Sequence, residues 1–207
     1  MTTERRQRRK DQNRTRIVEA ARELFASEGY EAVTMRRVAE AIDYSAGTIY
    51  LHFPDKESLI QEVCEADFAQ LAQRIAKIAA IADPVERLRR VALAYFDFAL
   101  ANPNHYRVMF MADRPPVAPD SVSHDRHDPQ QDAYAFLRMT VAECIATGRF
   151  RPSVTDVDLA VQITWAALHG LASLRITRHY EGWVRWKPAR KSATAMLDAL
   201  MHGLLKE

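Results

Sequence analysis

The chain has 207 residues, of which 48% are hydrophobic and 27% charged, a balance typical of a soluble globular protein of one large or two small domains. Its 29 basic and 27 acidic residues leave a net charge of +2, so the chain as a whole has no general affinity for polyanions. It has no run of eighteen apolar residues, and its first ten residues, MTTERRQRRK, lack the apolar stretch of a signal peptide. These features predict a cytoplasmic protein without a membrane span.

The two cysteines, Cys64 and Cys144, stand far apart in the sequence and lack C-x-x-C spacing. This placement argues against a zinc site or a disulfide framework. We interpret both as small buried hydrophobes, with redox sensing as the alternative.

The first 16 residues, MTTERRQRRKDQNRTR, form a strongly basic segment. Seven of them are Arg or Lys and two are acidic, so the segment carries a net charge of +5. Such a segment is attracted to phosphate and would add salt-dependent affinity for a nucleic acid. A solvated tail that only aids solubility explains the composition equally well, because a charge run carries no sequence information. We predict a flexible basic arm over residues 1–16 and leave its role open.

Residues 34–59 have the pattern of two short helices, a tight turn between them, and the start of a third helix. Thr34 is a good N-cap residue for the first helix. Apolar residues follow it at spacings of three and four, which places them on one helical face: Met35, Val38, Ala39 and Ile42. This layout is that of a DNA-reading helix-turn-helix, although an ordinary helical hairpin with buried Tyr50 and Phe53 has the same spacing.

The reversal between the two helices falls at Asp43, where we predict a positive φ, because Asp is among the few non-glycine residues that tolerate it. Ser45 can cap the second helix, from Ala46 to Leu51, and small residues at its start would let the backbone approach DNA closely. Pro54 ends that helix, and Asp55 caps a long third helix whose first residue, Lys56, is predicted to lie near a phosphate.

Three segments resemble the tetracycline-repressor (TetR) family of bacterial transcription regulators: IVEAARELFASEGYEAVT (17–34), GTIYLHF (47–53) and DKESL (55–59). The resemblance implies an all-helical homodimer with an N-terminal DNA-binding domain and a C-terminal domain that binds a small inducer. Four residues depart from the family pattern, since Asp43 replaces the usual turn glycine, Tyr44 a smaller apolar residue, and Ala46 and Leu51 residues that are often polar or aromatic. By resemblance, the residues that touch DNA are Thr34, Arg36, Ser45, Ala46, Gly47, Thr48, Tyr50, Leu51, His52 and Lys56.

We predict an all-α fold with a helix-turn-helix DNA-binding domain over residues 17–60 and a helical ligand-binding and dimerisation domain over residues 61–207. Capping side chains precede a proline at Asp83-Pro84, Asn102-Pro103 and Asp128-Pro129, as at many helix starts. Together with the apolar periodicity, they predict helices over about 56–80, 84–101, 103–111, 129–147, 156–177 and 188–205.

The stretch from Ala112 to Gln130 is rich in Pro, Asp, Ser and His, which predicts a long loop that could cover a pocket. His124 and His127 lie in it beside Asp125. Because the loop offers no partner at a metal-ligand spacing, we interpret both as solvated histidines and predict no metal site.

The predicted helix 156–177 is apolar on two sides, and the last helix has one apolar seam. A helix that is apolar on two sides needs two partners, which favours a four-helix dimer interface; packing within a single chain is the alternative. The predicted interface residues are Leu159, Ile163, Ala166, Gly170, Met196, Leu197, Leu200, Met201 and Leu204.

The same part of the chain concentrates aromatic and sulfur side chains, most of which an ordinary helical core would need in any case. Polar groups such as Tyr95, Tyr106 and His169 lie among them and could orient a ligand, so the resemblance to an inducer-binding family favours a pocket. The predicted ligand-binding residues are Phe68, Tyr95, Phe96, Tyr106, Met109, Phe110, Tyr134, Met139, Trp165 and His169.

Three classes of function remain. The first is a repressor that binds a palindromic operator as a homodimer and is released by a small apolar or aromatic ligand. The second is a DNA-binding regulator that answers to a protein partner or to no signal. The third is an enzyme or carrier, against which stand the lack of a Gly-rich phosphate loop, of G-x-S-x-G and of H-E-x-x-H. We predict no enzymatic activity and no cofactor.

Overall fold

A computed structural model describes residues 3–111 and 127–206, and these residues form nine α-helices. Phe150 and Leu205 form an isolated bridge, and the described residues contain no strand. The helices are α1 Thr3–Glu28, α2 Met35–Ala41, α3 Ala46–Tyr50, α4 Lys56–Ala76, α5 Pro84–Ala101, α6 Pro103–Phe110, α7 Ala133–Ala146, α8 Val157–Arg178 and α9 Ala189–Leu204. The predicted all-α fold class is confirmed.

The helices form two compact units. The N-terminal unit contains the described residues up to Asp67 together with α6, and the C-terminal unit contains residues 68–101 and the described residues from 127 onward. The division differs from the predicted boundary at residue 60. It places α6 in the N-terminal unit because α6 packs against α1, where the Asn104 amide donates a hydrogen bond to the Ala26 carbonyl.

Each unit has its own apolar core. In the N-terminal unit the fully buried side chains include Ile17, Val38, Ile49, Phe53 and Leu59. In the C-terminal unit α5 packs against α7, α8 and α9, and the buried side chains include Leu88, Phe96, Val161, Ala172 and Met201. Both cysteines are buried, and burial raises the pKa of the Cys144 thiol to about 11, which keeps it protonated and unreactive at neutral pH.

A buried charge joins three helices of the N-terminal unit. Asp67, near the middle of α4, is fully buried. Its Oδ1 accepts a 2.7 Å hydrogen bond from Arg22 Nε of α1, and its Oδ2 lies 2.8 Å from His105 Nδ1 of α6. A buried carboxylate is costly unless it is paired in this way, so the cluster fixes how α1, α4 and α6 pack.

The basic arm is helical, which differs from the predicted flexible segment. The helix α1 begins at Thr3 and continues without a break to the buried Ile17 and beyond. Arg, Gln, Lys and Glu are good helix formers, and the Gln7 amide donates a 2.8 Å hydrogen bond to the carboxylate of Asp11, one turn along. Local propensity and an anchored C-terminal end together order the arm.

The helix over residues 84–101 is as predicted, whereas α7 begins at Ala133 rather than at residue 129. The Asp132 carboxylate accepts a 2.7 Å hydrogen bond from the Ala135 backbone N–H and caps the helix. Asp128, the predicted cap, instead accepts a hydrogen bond from the Gln130 backbone N–H in the preceding turn. Most of the predicted loop, residues 112–126 with His124 and Asp125, lies outside the described residues.

Candidate functional site

The turn between α2 and α3 has the predicted geometry. Thr34 caps α2 by accepting a 3.1 Å hydrogen bond from the Arg37 backbone N–H, and Asp43 adopts a φ of 58°, in the left-handed region. The Tyr44 backbone N–H then donates to the Ala39 carbonyl at 2.9 Å, which closes the reversal. The predicted positive φ at Asp43 is confirmed, so this turn forms without the glycine that is usual in the family.

The short helix α3 presents an exposed face. Ser45 caps it through a 3.1 Å hydrogen bond from the Thr48 backbone N–H, while Ile49 is fully buried and anchors the helix. Tyr50 is 53% exposed and Leu51 81% exposed, whereas an ordinary hairpin would bury Tyr50. Of the predicted DNA-contacting residues, Thr34, Arg36, Ser45, Gly47, Tyr50 and Leu51 are exposed, and Ala46, Thr48, His52 and Lys56 are partly exposed.

The ammonium group of Lys56 is engaged within the fold. Its Nζ donates a 2.5 Å hydrogen bond to the Tyr30 carbonyl and lies 4.1 Å from the centroid of the Tyr30 ring. Lys56 therefore ties the start of α4 to the connection between α1 and α2. A phosphate contact by Lys56 would have to compete with these two interactions. The local sequence did not reveal either of the contacts with Tyr30.

Arg14 holds the residues that follow α3, a role that sequence analysis missed because Arg14 lies within a run of similar basic residues. Its guanidinium lies 4.2 Å from the Phe53 ring centroid, donates a 2.8 Å hydrogen bond to the His52 carbonyl, and pairs with the Glu62 carboxylate of α4. Arg14 thus joins α1, the residues after α3, and α4.

His52 is partly buried, and its environment disfavours the charged ring. Burial is the largest cause that lowers its pKa below the ordinary value, and the positive charges of Lys10 and Arg14 lower it further. The ring is therefore neutral at neutral pH. A contact from His52 to DNA would be an uncharged hydrogen bond or a packing contact.

Tyr44 joins the arm to the start of α3. Its hydroxyl donates a 2.9 Å hydrogen bond to Asn13 Oδ1, and the Arg16 guanidinium lies 5.4 Å from the ring centroid. Because Tyr44 immediately precedes the cap residue Ser45, the side chains of α1 set the position of the first turn of α3. The sequence marked Tyr44 as a departure from the family pattern but not as a link between helices.

Part of the predicted ligand-binding set forms an aromatic cluster in the C-terminal unit. The Tyr95 hydroxyl lies 2.9 Å from His169 Nδ1, and the Trp165 ring packs edge-on against both His169 and Tyr134, with centroid distances of 6.0 and 5.9 Å. Burial lowers the pKa of His169, so the imidazole is neutral at neutral pH. Tyr134 and Trp165 are partly exposed on this surface.

The other predicted ligand-binding residues are distributed differently. Phe96 is fully buried in the core of the C-terminal unit, Met139 is partly exposed on α7, and Phe68 is partly buried on α4. Tyr106, Met109 and Phe110 belong to α6 and therefore to the N-terminal unit. Sequence periodicity identified these positions as apolar but could not assign them to one unit.

The exposed face of α8 is strongly apolar. Leu159 is 57% exposed and Ile163 40% exposed, and Ala166, Gly170 and Leu174 continue the same exposed face at helical spacing. By length and composition α8 could span a membrane, and only 28% of its apolar window is buried. A surface of this kind normally has a partner.

The predicted interface residues on α9 are less accessible. Leu197, Met201 and Leu204 are buried in the chain's own fold, while Met196 and Leu200 are partly exposed. The exposed face instead carries the small residues Ala195, Ala199 and Gly203. The apolar seam predicted on α9 belongs mainly to the core, because periodicity identifies an apolar face without identifying what covers it.

Two family models match this chain. The model described as "Bacterial regulatory proteins, tetR family" matches residues 17–63, and the model described as "Tetracyclin repressor-like, C-terminal domain" matches residues 88–200. The second match alone covers more than half of the chain. The protein belongs to the TetR family. Because α2 and α3 both lie within the first match, the capped α2–turn–α3 segment is the helix-turn-helix of a TetR-family protein.

Among curated proteins, the HTH-type transcriptional repressor AcnR of Corynebacterium diphtheriae is 42% identical over 64 residues, which cover 31% of this chain and 34% of AcnR. The match therefore spans about a third of that relative's length. The transcriptional repressor KstR2 of Mycobacterium tuberculosis strain H37Rv is 28% identical over 163 residues, which cover 75% of this chain and 79% of KstR2.

Solved structures share the TetR-family fold over almost the whole chain. The match to a protein with unknown function from Rhodococcus sp. RHA1 has a TM-score of 0.75 at 22% identity. This match covers 93% of this chain and 95% of the Rhodococcus chain. The match to the regulator FadR from Bacillus subtilis, in complex with stearoyl-CoA, has a TM-score of 0.72 at 20% identity. This match covers 91% of this chain and 98% of the FadR chain. At these identities the likeness shows the fold alone.

Proposed function

We propose that this TetR-family protein is a transcriptional repressor that binds a palindromic operator as a homodimer and is released by a small, largely apolar ligand. The observation that carries the proposal is the capped helix α3, which presents Tyr50 and Leu51 to solvent directly after the left-handed turn at Asp43. Large side chains exposed on a short helix are positioned to contact base edges in a major groove. AcnR and KstR2 are both named repressors.

The homodimer is proposed from the apolar face of α8. Leu159, Ile163 and Leu174 are exposed in a single chain, and burying them against a second copy would remove this apolar area from water. Exposed Ala195, Ala199 and Gly203 on α9 would allow close helix approach at the same interface. Two-fold symmetry would then set two copies of α3 roughly 34–36 Å apart, the spacing of successive major-groove faces.

The ligand is proposed from the aromatic cluster and from the relatives. Tyr134 and Trp165 offer an apolar surface, and the neutral pair of Tyr95 and His169 offers a polar anchor within it. Of the structural neighbours, KstR2 is described as a ketosteroid regulator and FadR is bound to stearoyl-CoA. A ligand with a large apolar body and one polar group fits the side chains of this cluster.

The proposal needs neither catalysis nor a cofactor, because selective binding of DNA and of a ligand is sufficient for regulation. Within residues 3–111 and 127–206, no group of three or more His, Cys, Asp or Glu side chains is arranged to hold a metal ion. The relatives are named transcriptional regulators, and we propose the cytoplasm as the place of action, with α8 covered by a second copy and not by lipid.

The DNA-binding proposal is tested by selecting bound sequences from a random duplex pool with the purified protein. We expect a palindromic motif with two half-sites one helical turn apart or a multiple of it. Tyr50→Ala should weaken binding to that motif, whereas Tyr180→Ala, a matched change at an exposed tyrosine of the C-terminal unit, should not. Sequence-blind binding by the wild-type protein would contradict the proposal.

The ligand proposal is tested on the selected operator. Candidate compounds with a large apolar body, including long-chain acyl-CoA thioesters and ketosteroids, are screened for release of the operator. We expect a releasing compound to change the fluorescence of wild-type protein but much less that of Trp165→Phe, and Tyr95→Phe should weaken its binding without changing operator affinity. If no apolar compound releases the operator, the alternative of a regulator without a small-molecule inducer is favoured.

A further inference from the structure

We infer that the connection between α8 and α9, residues 179–188, binds the surface of an anionic lipid bilayer. This connection is called the interfacial loop below. Such binding is separate from the proposed regulation by DNA and a ligand. Two features of the loop that neither of those activities uses point to lipid: exposed aromatic rings and a concentration of positive charge.

The interfacial loop exposes two large aromatic side chains. Trp183 is 81% exposed and Tyr180 is 71% exposed. The Val184 backbone N–H donates a 3.2 Å hydrogen bond to the Glu181 carbonyl, which makes residues 181–184 a tight turn with Trp183 at one of its central positions. Trp and Tyr are enriched where a protein meets the boundary between water and lipid, because each combines an apolar ring with a polar N–H or O–H group.

The base of the interfacial loop is tied to α8. Trp186 Nε1 donates a 3.3 Å hydrogen bond to the Arg178 carbonyl, and the Arg175 guanidinium lies 4.5 Å from the Trp186 ring centroid. Arg175 also donates a 2.5 Å hydrogen bond to the Lys187 carbonyl. Because these contacts hold the base of the loop, Trp183 is presented at a defined position and not on a free tail.

Positive charge is concentrated around the exposed rings. Residues 175–191 contain six Arg or Lys and one Glu, a net charge of +5 in a chain whose total is +2. The single acid, Glu181, already pairs with Arg178 at 2.6 Å. Within the part of the chain that the structure describes, no acid pairs with three of the other cations, all of which are exposed: Arg185, Lys187 and Lys191. These three cations are available to the phosphate groups of lipids.

An anionic bilayer fits this combination better than a nucleic acid or a second copy of the chain. Anionic lipids attract Arg and Lys near the membrane surface, and the headgroup region accepts Trp and Tyr rings. A DNA duplex would engage the cations but leave the rings exposed, because its bases are stacked on one another and not free to stack on a side chain. Two copies of the loop would repel each other, since each carries the same positive charge.

Binding to a bilayer would also bring the C-terminal unit to the place where its proposed ligand accumulates. A ligand with a large apolar body partitions from water into lipid. The aromatic cluster that contains Tyr134, Trp165 and His169 lies in the same unit as the interfacial loop. This consequence rests on the proposed ligand, whereas the binding of the loop to lipid does not.

Vesicle binding provides the test. The purified protein is sedimented with vesicles made of phosphatidylglycerol and phosphatidylcholine, and with vesicles of phosphatidylcholine alone. We expect the wild type to bind the anionic vesicles more tightly. Each cation near the surface contributes about fivefold to the affinity, so Arg185→Gln/Lys187→Gln should weaken binding roughly 25-fold. Lys77→Gln/Lys206→Gln removes the same charge from exposed positions elsewhere in the C-terminal unit and should have a much smaller effect.

Tryptophan fluorescence reports insertion of the loop directly. The chain has three tryptophans, which are Trp165, Trp183 and Trp186. Lipids with brominated acyl chains quench only those rings that enter the bilayer. Brominated anionic vesicles should quench the wild type, and they should quench Trp183→Phe much less because this variant lacks the inserting reporter. Trp186→Phe is the matched control and should keep most of the quenching, since Trp186 is held against α8.

Four results would overturn the inference. Equal losses of vesicle binding in the two double variants would indicate an unoriented attraction of charge. Quenching that does not depend on Trp183 would indicate adsorption without insertion of the loop. Monomers of Trp183→Ala in sedimentation velocity experiments would assign the loop to an interface between copies. DNA binding that falls in Arg185→Gln/Lys187→Gln, without vesicle binding by the wild type, would assign the loop to nucleic acid.

Failure of this inference is distinct from failure of the proposed function. None of the substituted residues belongs to the predicted DNA-contacting set, so every variant should select the same operator as the wild type. Loss of vesicle binding with normal operator selection would concern the interfacial loop alone. Absence of operator selection by the wild type would concern the proposed function alone.

Discussion

Removing the buried carboxylate of Asp67 should destabilise the N-terminal unit strongly. In the wild type, Asp67 accepts a hydrogen bond from Arg22 Nε at 2.7 Å and lies 2.8 Å from His105 Nδ1, with a side chain that is 1% exposed. Asp67→Ala would leave both partners without their acceptor in a poorly solvated site. Breaking a buried pair costs about 3–5 kcal/mol, and because the Arg22 side chain is 26% exposed and can regain some water, we expect the lower end, about 3 kcal/mol.

Asp158 provides the matched control. Its Oδ1 accepts a hydrogen bond from Arg138 Nε at the same distance of 2.7 Å, but the two side chains are 53% and 55% exposed. Solvent already screens this pair, so Asp158→Ala should leave the denaturation midpoint close to wild type. Urea denaturation followed by circular dichroism measures both variants, with separate transitions fitted if the two units unfold independently. Similar midpoints for both variants would refute the argument that burial makes the Asp67 cluster strong.

Three further predictions concern the reading helix, the dimer and pH. Tyr44→Phe keeps the ring beside Arg16 but removes the hydroxyl, which donates to Asn13 Oδ1 at 2.9 Å and accepts from Arg16 Nη1 at 3.4 Å. Losing about 0.5–1.5 kcal/mol of positioning should weaken operator binding roughly 2- to 12-fold in a fluorescence anisotropy titration, and unchanged affinity would show that the hydroxyl does not position α3. Ile163→Asp places a charge on the exposed face of α8 and should yield folded monomers in sedimentation experiments, whereas a stable dimer would move the interface elsewhere. His52 and His169 both have pKa values below the ordinary 6.5, so on acidification the unfolded chain takes up protons before the folded protein does. The free energy of unfolding should therefore fall as the pH drops below about 6.5, which a comparison of urea midpoints at two pH values would measure. His169→Gln should reduce this dependence on pH, and an unchanged dependence would contradict burial of His169 as its cause.

The local rules of helix capping and turn geometry explain why the reading helix was predictable. Thr34, Asp43 and Ser45 act through their own backbone neighbours, within three residues of themselves. Residue type and spacing therefore determine what these residues do. The buried positions of Ile49 and Phe53 follow from the same helical periodicity.

Contacts between distant residues were not predictable in this way. Arg14 lies among seven basic residues of the arm, yet it alone reaches Glu62 and the His52 carbonyl, and nothing in a charge run distinguishes it. Lys56 likewise meets the Tyr30 carbonyl across 26 residues of sequence. Such partners depend on which helices pack together, and that packing is set by the whole core.

The sequence by itself determined most of the helices, the caps Thr34 and Ser45, the left-handed turn and the family resemblance, because these depend on short-range propensity and periodicity. Only the tertiary structure decided which apolar faces are covered. It buried Leu197 of α9 within the chain and left Ile163 of α8 exposed, although both lie on apolar seams of similar spacing. A periodic pattern shows that a face must be removed from water, while the identity of the surface that covers it depends on the arrangement of all the helices.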